Sequence, residues 1–218
     1  GPRSMTVAHR VLVLFAHPVI ERSRVNRCLL DHITGLEGVT VRDLYEHYPT
    51  FAIDVAAEQE LLLEHDVIVF QHPLFWYSTP AILKEWQDLV LEHGWAYGDE
   101  GRALEGKLFL VSTTTGGSEF AYRTDGQNRF TMREFLVPLE QTAALCRMRY
   151  IAPYVVHGSL LIAGLQDAKP HALGYRAFIE ALRDGRLDLE AASRADSIRH
   201  DNLASFIQLR DVKRSAEQ

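Results

Sequence analysis

Three short stretches of this chain carry residue types able to hold a phosphate, a flat ring and a ring's polar edge. His17-Pro18, then Ser23 and Asn26, follow the apolar run Val11-Leu12-Val13-Leu14-Phe15. Ser23 near the start of a helix, with Asn26 in its first turn, marks a helix N-terminus, where unpaired amides and partial positive charge suit a phosphate. Arg24 adds charge there and Val25 sits between them, although Ser23 alone reads as a simple N-cap. Gln71-His72-Pro73-Leu74-Phe75-Trp76-Tyr77-Ser78 follows Val67-Ile68-Val69-Phe70. Three consecutive large rings at a strand end are costly if exposed. They fit the wall of a planar ligand, or else a loop folded on the core or an oligomer contact. Thr114-Thr115-Gly116-Gly117 comes after Leu108-Phe109-Leu110-Val111. There the glycines admit close backbone approach, and amides and hydroxyls can donate to a polar ring edge. Donors near the N1/O2 edge of a flavin would stabilise the anion formed on reduction.

These stretches share one property: each follows an apolar, strand-like run. Strands are expected near 10–16, 39–43, 66–71, 107–114 and 150–156, and continuous hydrophobicity in the first, third and fourth implies cover on both faces. Between them Val25, Cys28, Leu29, Ile33 and Leu36 form one helical stripe, and Ile82, Leu83, Trp86, Leu89 and Val90 another after Ser78-Thr79-Pro80. A hydroxyl cap with Pro at the first helical position is the expected start of that second helix. Pro138 opens the next helix, and Tyr175, Phe178, Ile179 and Leu182 mark a last packed one. The alternation gives an α/β fold: a flavodoxin-like, doubly wound, five-stranded parallel sheet of order 2-1-3-4-5 with helices on both faces. Ligands of such sheets bind outside the carboxyl ends of the strands, so the three loops point to one shared pocket.

Bulk properties bound the function. The 218 residues, 47% apolar and 24% charged, fit one globular domain, set here at 8–185. Gly1-Pro2-Arg3-Ser4 before Met5 looks like an expression-tag remnant at 1–4, and 186–218 is a charge-rich extension with one apolar cluster, Leu203, Phe206, Ile207 and Leu209. That extension is read as a helix packed on the domain or on a partner, or as a mobile tail. The net charge of −6 argues against nucleic acid. Without a secretory leader or a membrane-length apolar run, a soluble intracellular protein is expected. Cys28 and Cys146 read as core residues, and the ten histidines lack zinc-binding spacing, so no metal is expected. The run Gly101 to Lys107 mimics a P-loop, but Leu108 stands where Ser or Thr belongs, and the run precedes a strand. No G-x-G-x-x-G or G-x-S-x-G is present, which counts against a dinucleotide-binding Rossmann domain and a serine hydrolase.

Together the motifs resemble the flavodoxin-fold NAD(P)H:quinone oxidoreductases, and within them the ancillary proteins of Kef glutathione-regulated potassium-efflux systems. The resemblance covers roughly 10–185. It rests on His17-Pro18 with Ser23 and Asn26, on Ala57-Glu58-Gln59-Glu60, and on Gln71-His72-Pro73 with Trp76-Tyr77-Ser78. His93-Gly94-Trp95-Ala96-Tyr97-Gly98 and Thr114-Thr115-Gly116-Gly117 complete it. It implies bound FMN, with His17 and 23–26 around the phosphate and ribityl chain, Leu74–Tyr77 along the ring and Thr114–Gly117 at its edge. It implies a homodimer with the flavin near the interface, and a cytoplasmic protein, free or peripheral on the inner face of the cell membrane.

The implied activity is ping-pong: NAD(P)H passes hydride to flavin N5, and a quinone-like acceptor then collects two electrons at the same face. In the wider family a Tyr five residues beyond T-T-G-G and a His six further on assist the transfer. Tyr122 fills the first position as the candidate catalytic residue, with lid packing as its alternative role, and Asn128 replaces the histidine. The family also implies a second role, a regulatory subunit docked on a potassium-efflux membrane protein, with the extension as docking candidate. A one-electron carrier is disfavoured, because the hydroxyl- and Gly-rich first phosphate loop of flavodoxins is missing.

Overall fold

A computed structural model describes residues 8–208. The tag-like 1–4 and the end of the extension, including Leu209, lie outside the described residues. Five strands, β1 (Val11–Phe15), β2 (Val39–Asp43), β3 (Val67–Pro73), β4 (Leu108–Thr114) and β5 (Arg149–Tyr150), pair in parallel in the order β2-β1-β3-β4-β5. A sixth, β6 (Tyr154–Val156), also pairs with β4. β1 and β3 are buried along their whole length, as continuous apolar runs require when both faces are covered. One face carries α1 (Arg24–Ile33) and the later α7 (Leu165–Arg183), which pack on Val11, Val13, Val67 and Val69. The opposite face carries α2 (Leu44–His47), α3 (Val55–Leu63), α4 (Ala81–Val90), α5 (Met132–Phe135) and α6 (Val137–Leu145) over Leu12, Leu14, Ile68 and Phe70. Cys28 and Cys146 are free and buried, one in each of the two cores.

Two local expectations shift. α4 starts at Ala81, with Pro80 as its N-cap and no side-chain cap bond, so Thr79 caps nothing. The single strand expected at 150–156 is two pieces. Leu108 and Phe109 face Arg149 and Tyr150, but Ser112 faces Tyr154, so Ile151, Ala152 and Pro153 lie opposite only Leu110 and Val111. Proline lacks a ladder donor, and the extra residue makes a bulge. The bulge turns the Ala152 amide outward, where it donates to the Ala192 carbonyl at 3.0 Å.

That carbonyl belongs to the extension, whose described part packs against the sheet. α8 (Leu189–Arg194) follows α7, so Tyr175–Leu182 is not the last packed helix. Ile198 then runs beside β6, donating to the Pro153 carbonyl at 2.8 Å and accepting from Val155 at 3.0 Å. Leu187, Ala192, Ile198 and Leu203 are buried in the α1/α7 core, with Phe206 and Ile207 packed against it. An edge strand that would expose its ladder groups is thereby covered.

Two of the sequence motifs prove to be scaffolding. Glu58 of α3 is fully buried and accepts from Arg42 at 2.7 Å, Tyr48 at 2.6 Å and the Trp86 indole at 3.1 Å. Gln59 donates to the Val90 carbonyl at the end of α4 at 3.0 Å. His93–Gly98 turns tightly beyond α4, with Gly94 and Gly98 at φ 81° and 88°, and Arg147, just before β5, donates to the carbonyls of Gly98 and Gly101. Because α4 runs back antiparallel to β3, this turn sits at the amino end of the strands.

Candidate functional site

The carboxyl ends of β1, β3 and β4 open into a cleft. Its deeper part, about 470 Å³, is lined by ten of the expected residues: His17, Ser23, Arg24, Val25, Asn26, Pro73, Leu74, Phe75, Thr114 and Gly116. An adjoining cavity of about 250 Å³ is lined by the other five, Trp76, Tyr77, Thr115, Gly117 and Tyr122, and shares Leu74 and Gly116 with the first. All three loops therefore meet, as the strand-end rule demands. A fourth segment, Ser159–Ala163 beyond β6, closes the deeper part with Ser159, Leu160, Ile162 and Ala163 and was not foreseen. The same rule reaches it once β6 is recognised as a strand.

Asn26 organises the phosphate-like end. Ser23 caps α1 by accepting from the Asn26 amide, and the buried Asn26 side chain donates to Ser23 Oγ and to Thr114 Oγ1, both at 2.9 Å. One side chain thus ties the first loop to the third. Its Oδ1 is buried and has no partner. Among the described residues, the first-turn amides of Arg24 and Val25 also have no protein acceptor. The Val25 side chain points into the α1/α7 core, so only its backbone serves the cleft. The Arg24 guanidinium donates to the Ala163 carbonyl, tying the fourth segment down. His17 accepts from the Val19 amide and sets its ring edge-on to Phe75 at 6.1 Å. Burial lowers its pKa, and nearby Glu21 opposes that only in part, which favours the neutral ring.

The aromatic wall rests on a strained turn. Phe75 and Ser78 exchange both backbone bonds at 2.9 Å, and between them Trp76 and Tyr77 hold φ 48° and 61°. A two-residue turn with both φ positive normally takes Asn-Gly or another small pair. Bulky residues there cost energy, a pattern found at functional sites. The expected cost of exposure is present as well, for Trp76 is 91% exposed. Tyr77 is held from behind: its ring stacks on Phe135 of α5 at 4.8 Å, and its hydroxyl donates to Asn128 at 3.2 Å. Asn128, in place of a histidine, is thus a partner of Tyr77.

At the third loop the donor set is narrower than the sequence suggests. The Thr115 amide bonds to Val156 and its hydroxyl to the Tyr122 hydroxyl at 2.5 Å, while Thr114 Oγ1 accepts from Asn26. The Gly116 amide stays free among the described residues, and the Gly117 amide makes only a long 3.4 Å contact to Thr115 Oγ1. A β-carbon at 117 would lie 3.2 Å from the Tyr122 ring, so glycine there lets Tyr122 approach. Tyr122 is buried, edge-on to Phe135 and 5.5 Å from the ring of His157. His157 is a further unforeseen neighbour. Burial lowers its pKa, and Nδ1 is buried without a partner.

Among the described residues no cluster of side chains could hold a metal, and no helix is long and apolar enough to cross a membrane.

Comparison with known proteins agrees with this architecture. The family described as flavodoxin-like fold matches residues 9–179. The chain is 52% identical over 153 residues to the glutathione-regulated potassium-efflux system ancillary protein KefG of Enterobacter sp. (strain 638), covering 70% of this chain and 84% of that one. General stress protein 14 of Treponema denticola, solved in complex with FMN, is 38% identical with TM-score 0.75, over 79% of this chain and 99% of that one. An NADPH-quinone reductase from P. pentosaceus is 32% identical with TM-score 0.69, over 78% and 96%. A protein named thermophilic tryptophan halogenase, from Streptomycin violaceusniger, is 45% identical with TM-score 0.74, over 77% and 97%. These names differ on substrate while the fold and its coverage agree: the chain belongs to the flavodoxin-like-fold family, among relatives that include Kef ancillary proteins and quinone reductases.

Proposed function

We propose that this protein is an FMN-dependent NAD(P)H:quinone oxidoreductase whose cofactor lies in the cleft above β1, β3 and β4. The observation that carries the reading is Asn26, which lines the cleft beside two free helix-start amides and whose Oδ1 is buried without a partner. Leaving such an atom unsatisfied costs about 1–3 kcal/mol, so a hydroxylated, phosphorylated ligand is the natural complement. The volume and the aromatic rim fit the remainder of FMN. The FMN complex of a 38% identical neighbour supports the same cofactor.

Bound FMN would supply two-electron transfer between nicotinamide and quinone. The protein's own residues do the rest. Ser23, Arg24, Val25 and Asn26 hold the phosphate and ribityl chain with His17 alongside. Pro73, Leu74, Phe75, Trp76 and Tyr77 wall one side, and Thr114, Thr115, Gly116 and Gly117 form the other, with the Gly116 and Gly117 amides offered to the ring edge. Tyr122 is proposed to orient substrate, its hydroxyl fixed by Thr115. The FMN-loaded protein should oxidise NADPH or NADH when benzoquinone or menadione is added. Flavin-loaded protein inert with both donors would overturn the reading.

The relatives' names support a second role, as an ancillary protein of a potassium-efflux system; we propose that it acts from the cytoplasm or peripherally on the inner face of the membrane. Co-purification with such a transporter tests it, and its absence at stoichiometric expression would remove it. A homodimer is proposed too. Phe120, Leu160 and Leu161 are 72%, 85% and 82% exposed, and Leu160 also lines the cleft, an apolar surface that a second subunit would cover. A molar mass near that of one chain in light scattering would refute the dimer. Residues 8–185 are proposed as the flavin-binding domain and 186–218 as its extension.

A further inference from the structure

We propose that residues 186–208 are a brace for the Tyr77–Tyr122 wall of the cleft, with Arg133 and Arg199 as positioning residues. The inference rests on the functional reading only for what the wall contacts. The family match ends at residue 179, and 153 aligned residues are 84% of the Enterobacter relative but only 70% of this chain, so the extension lies outside the matched domain.

Three separate ties run from the extension to the wall. First, Arg133 of α5 donates to the carbonyls of Ser193 and Ala195 at 2.7 and 2.5 Å. Those groups end α8, whose orphan carbonyls carry partial negative charge, so a part-buried guanidinium is their strongest complement. The same Arg133 pairs with Glu140 at 3.1 Å and lies over the Tyr150 ring at 5.6 Å. Two residues on, Phe135 supports both Tyr77 and Tyr122. α5 is a single turn that runs into α6 through Leu136, with Met132 and Leu136 in the core, and Arg133 adds a tie from its outer side to the extension, next to Phe135. Second, Arg199 lies 3.5 Å from Glu119, which opens the short helical turn ending at Tyr122. Third, Ile198 zips the edge of β6, and the next residue after β6 is His157, against the Tyr122 ring. The two arginine ties do not reach the phosphate-like end, where Ser23, Asn26 and Thr114 bind one another; only the β6 edge is shared, since Ser159–Ala163 beyond it line the deeper part.

The test compares Arg133→Met, Arg133→Lys and, as control, Arg194→Met, whose exposed arginine pairs, among the described residues, only with Glu190 within α8. In hydrogen exchange on the full chain without flavin, Arg133→Met should speed the amides of 119–135 about tenfold and leave those of α1 unchanged, since an ionic capping bond protects only the segment it anchors. Arg133→Lys should restore part of the protection, and Arg194→Met should match wild type. On the FMN-loaded enzyme, Arg133→Met should raise KM for benzoquinone about fivefold with kcat and FMN affinity within about twofold. Exchange unchanged at 119–135, exchange accelerated equally in α1, or an unchanged KM each overturns the brace. Should the protein lack quinone reductase activity, the functional reading fails and the exchange measurement alone decides the brace.

Discussion

Replacing Asn26 by Leu separates a structural role from a ligand-binding one. The substitution keeps the branching at Cγ with somewhat more bulk, and removes both donors and the partnerless acceptor. Ser23 Oγ loses a 2.9 Å bond, about 1 kcal/mol, and the buried Thr114 Oγ1 loses its 2.9 Å bond to Asn26, about 1–3 kcal/mol. Against that, a buried Oδ1 without a partner disappears, which returns about 1–3 kcal/mol. The two contributions nearly cancel, so the flavin-free variant should unfold in urea within about 1 kcal/mol of wild type. FMN binding should suffer in full. The ligand loses an acceptor and the tie that sets the spacing of the first and third loops, and FMN fluorescence titration should show at least about a tenfold rise in Kd. A variant destabilised by more than about 2 kcal/mol that binds FMN normally would refute this reasoning and make Asn26 a packing residue.

Other expectations follow from the same geometry. Glu58→Gln should destabilise the fold by about 3–5 kcal/mol, because the fully buried carboxylate serves Arg42, Tyr48 and Trp86. Glu60→Gln, two residues away on the surface, should be neutral, and equal urea midpoints for the two would contradict the assignment. Trp76→Asn should raise stability by about 1 kcal/mol, since asparagine tolerates the left-handed conformation and the exposed indole contributes no packing; thermal unfolding of the flavin-free protein checks this. Tyr122→Phe should lower kcat/KM for benzoquinone several-fold with FMN affinity within about twofold, and an equal loss of FMN affinity would assign Tyr122 to packing instead. His72 is fully buried, and desolvation depresses its pKa to about 4, only partly opposed by its bond to the Pro73 carbonyl. The unfolded chain then binds the proton first, so this stability is complete above about pH 6.5 and is lost as pH falls toward 4, on the order of 3 kcal/mol in all. Urea midpoints across that window should flatten in His72→Gln.

What the sequence made legible is what repeats regularly. Short uninterrupted apolar runs rich in valine, such as Val11–Phe15, read as strands covered on both faces, and the strand-end rule then places His17, Trp76 and Gly117 around one cleft without any knowledge of tertiary contacts. Irregular features were hidden. Pro153 and its bulge break the last strand, so the segment at Ser159–Ala163 had no visible strand to follow. The extension buries Leu187, Ala192, Ile198 and Leu203, but their spacing matches neither a helix nor a strand, because a covering strap alternates between short elements. The partners of Arg133 lie about sixty positions away, beyond the reach of any local pattern. Glu58 looked like one carboxylate among several in a polar motif, and only the fold reveals that it is enclosed.

The decisive measurement is a titration of the purified, flavin-stripped protein with FMN, followed by flavin fluorescence and the visible spectrum. The cleft predicts saturable binding of one FMN per chain in the micromolar range or tighter, with Asn26→Leu shifted weaker. Failure of the folded wild-type chain to bind FMN, or binding that Asn26→Leu leaves untouched, would contradict the site described above β1, β3 and β4.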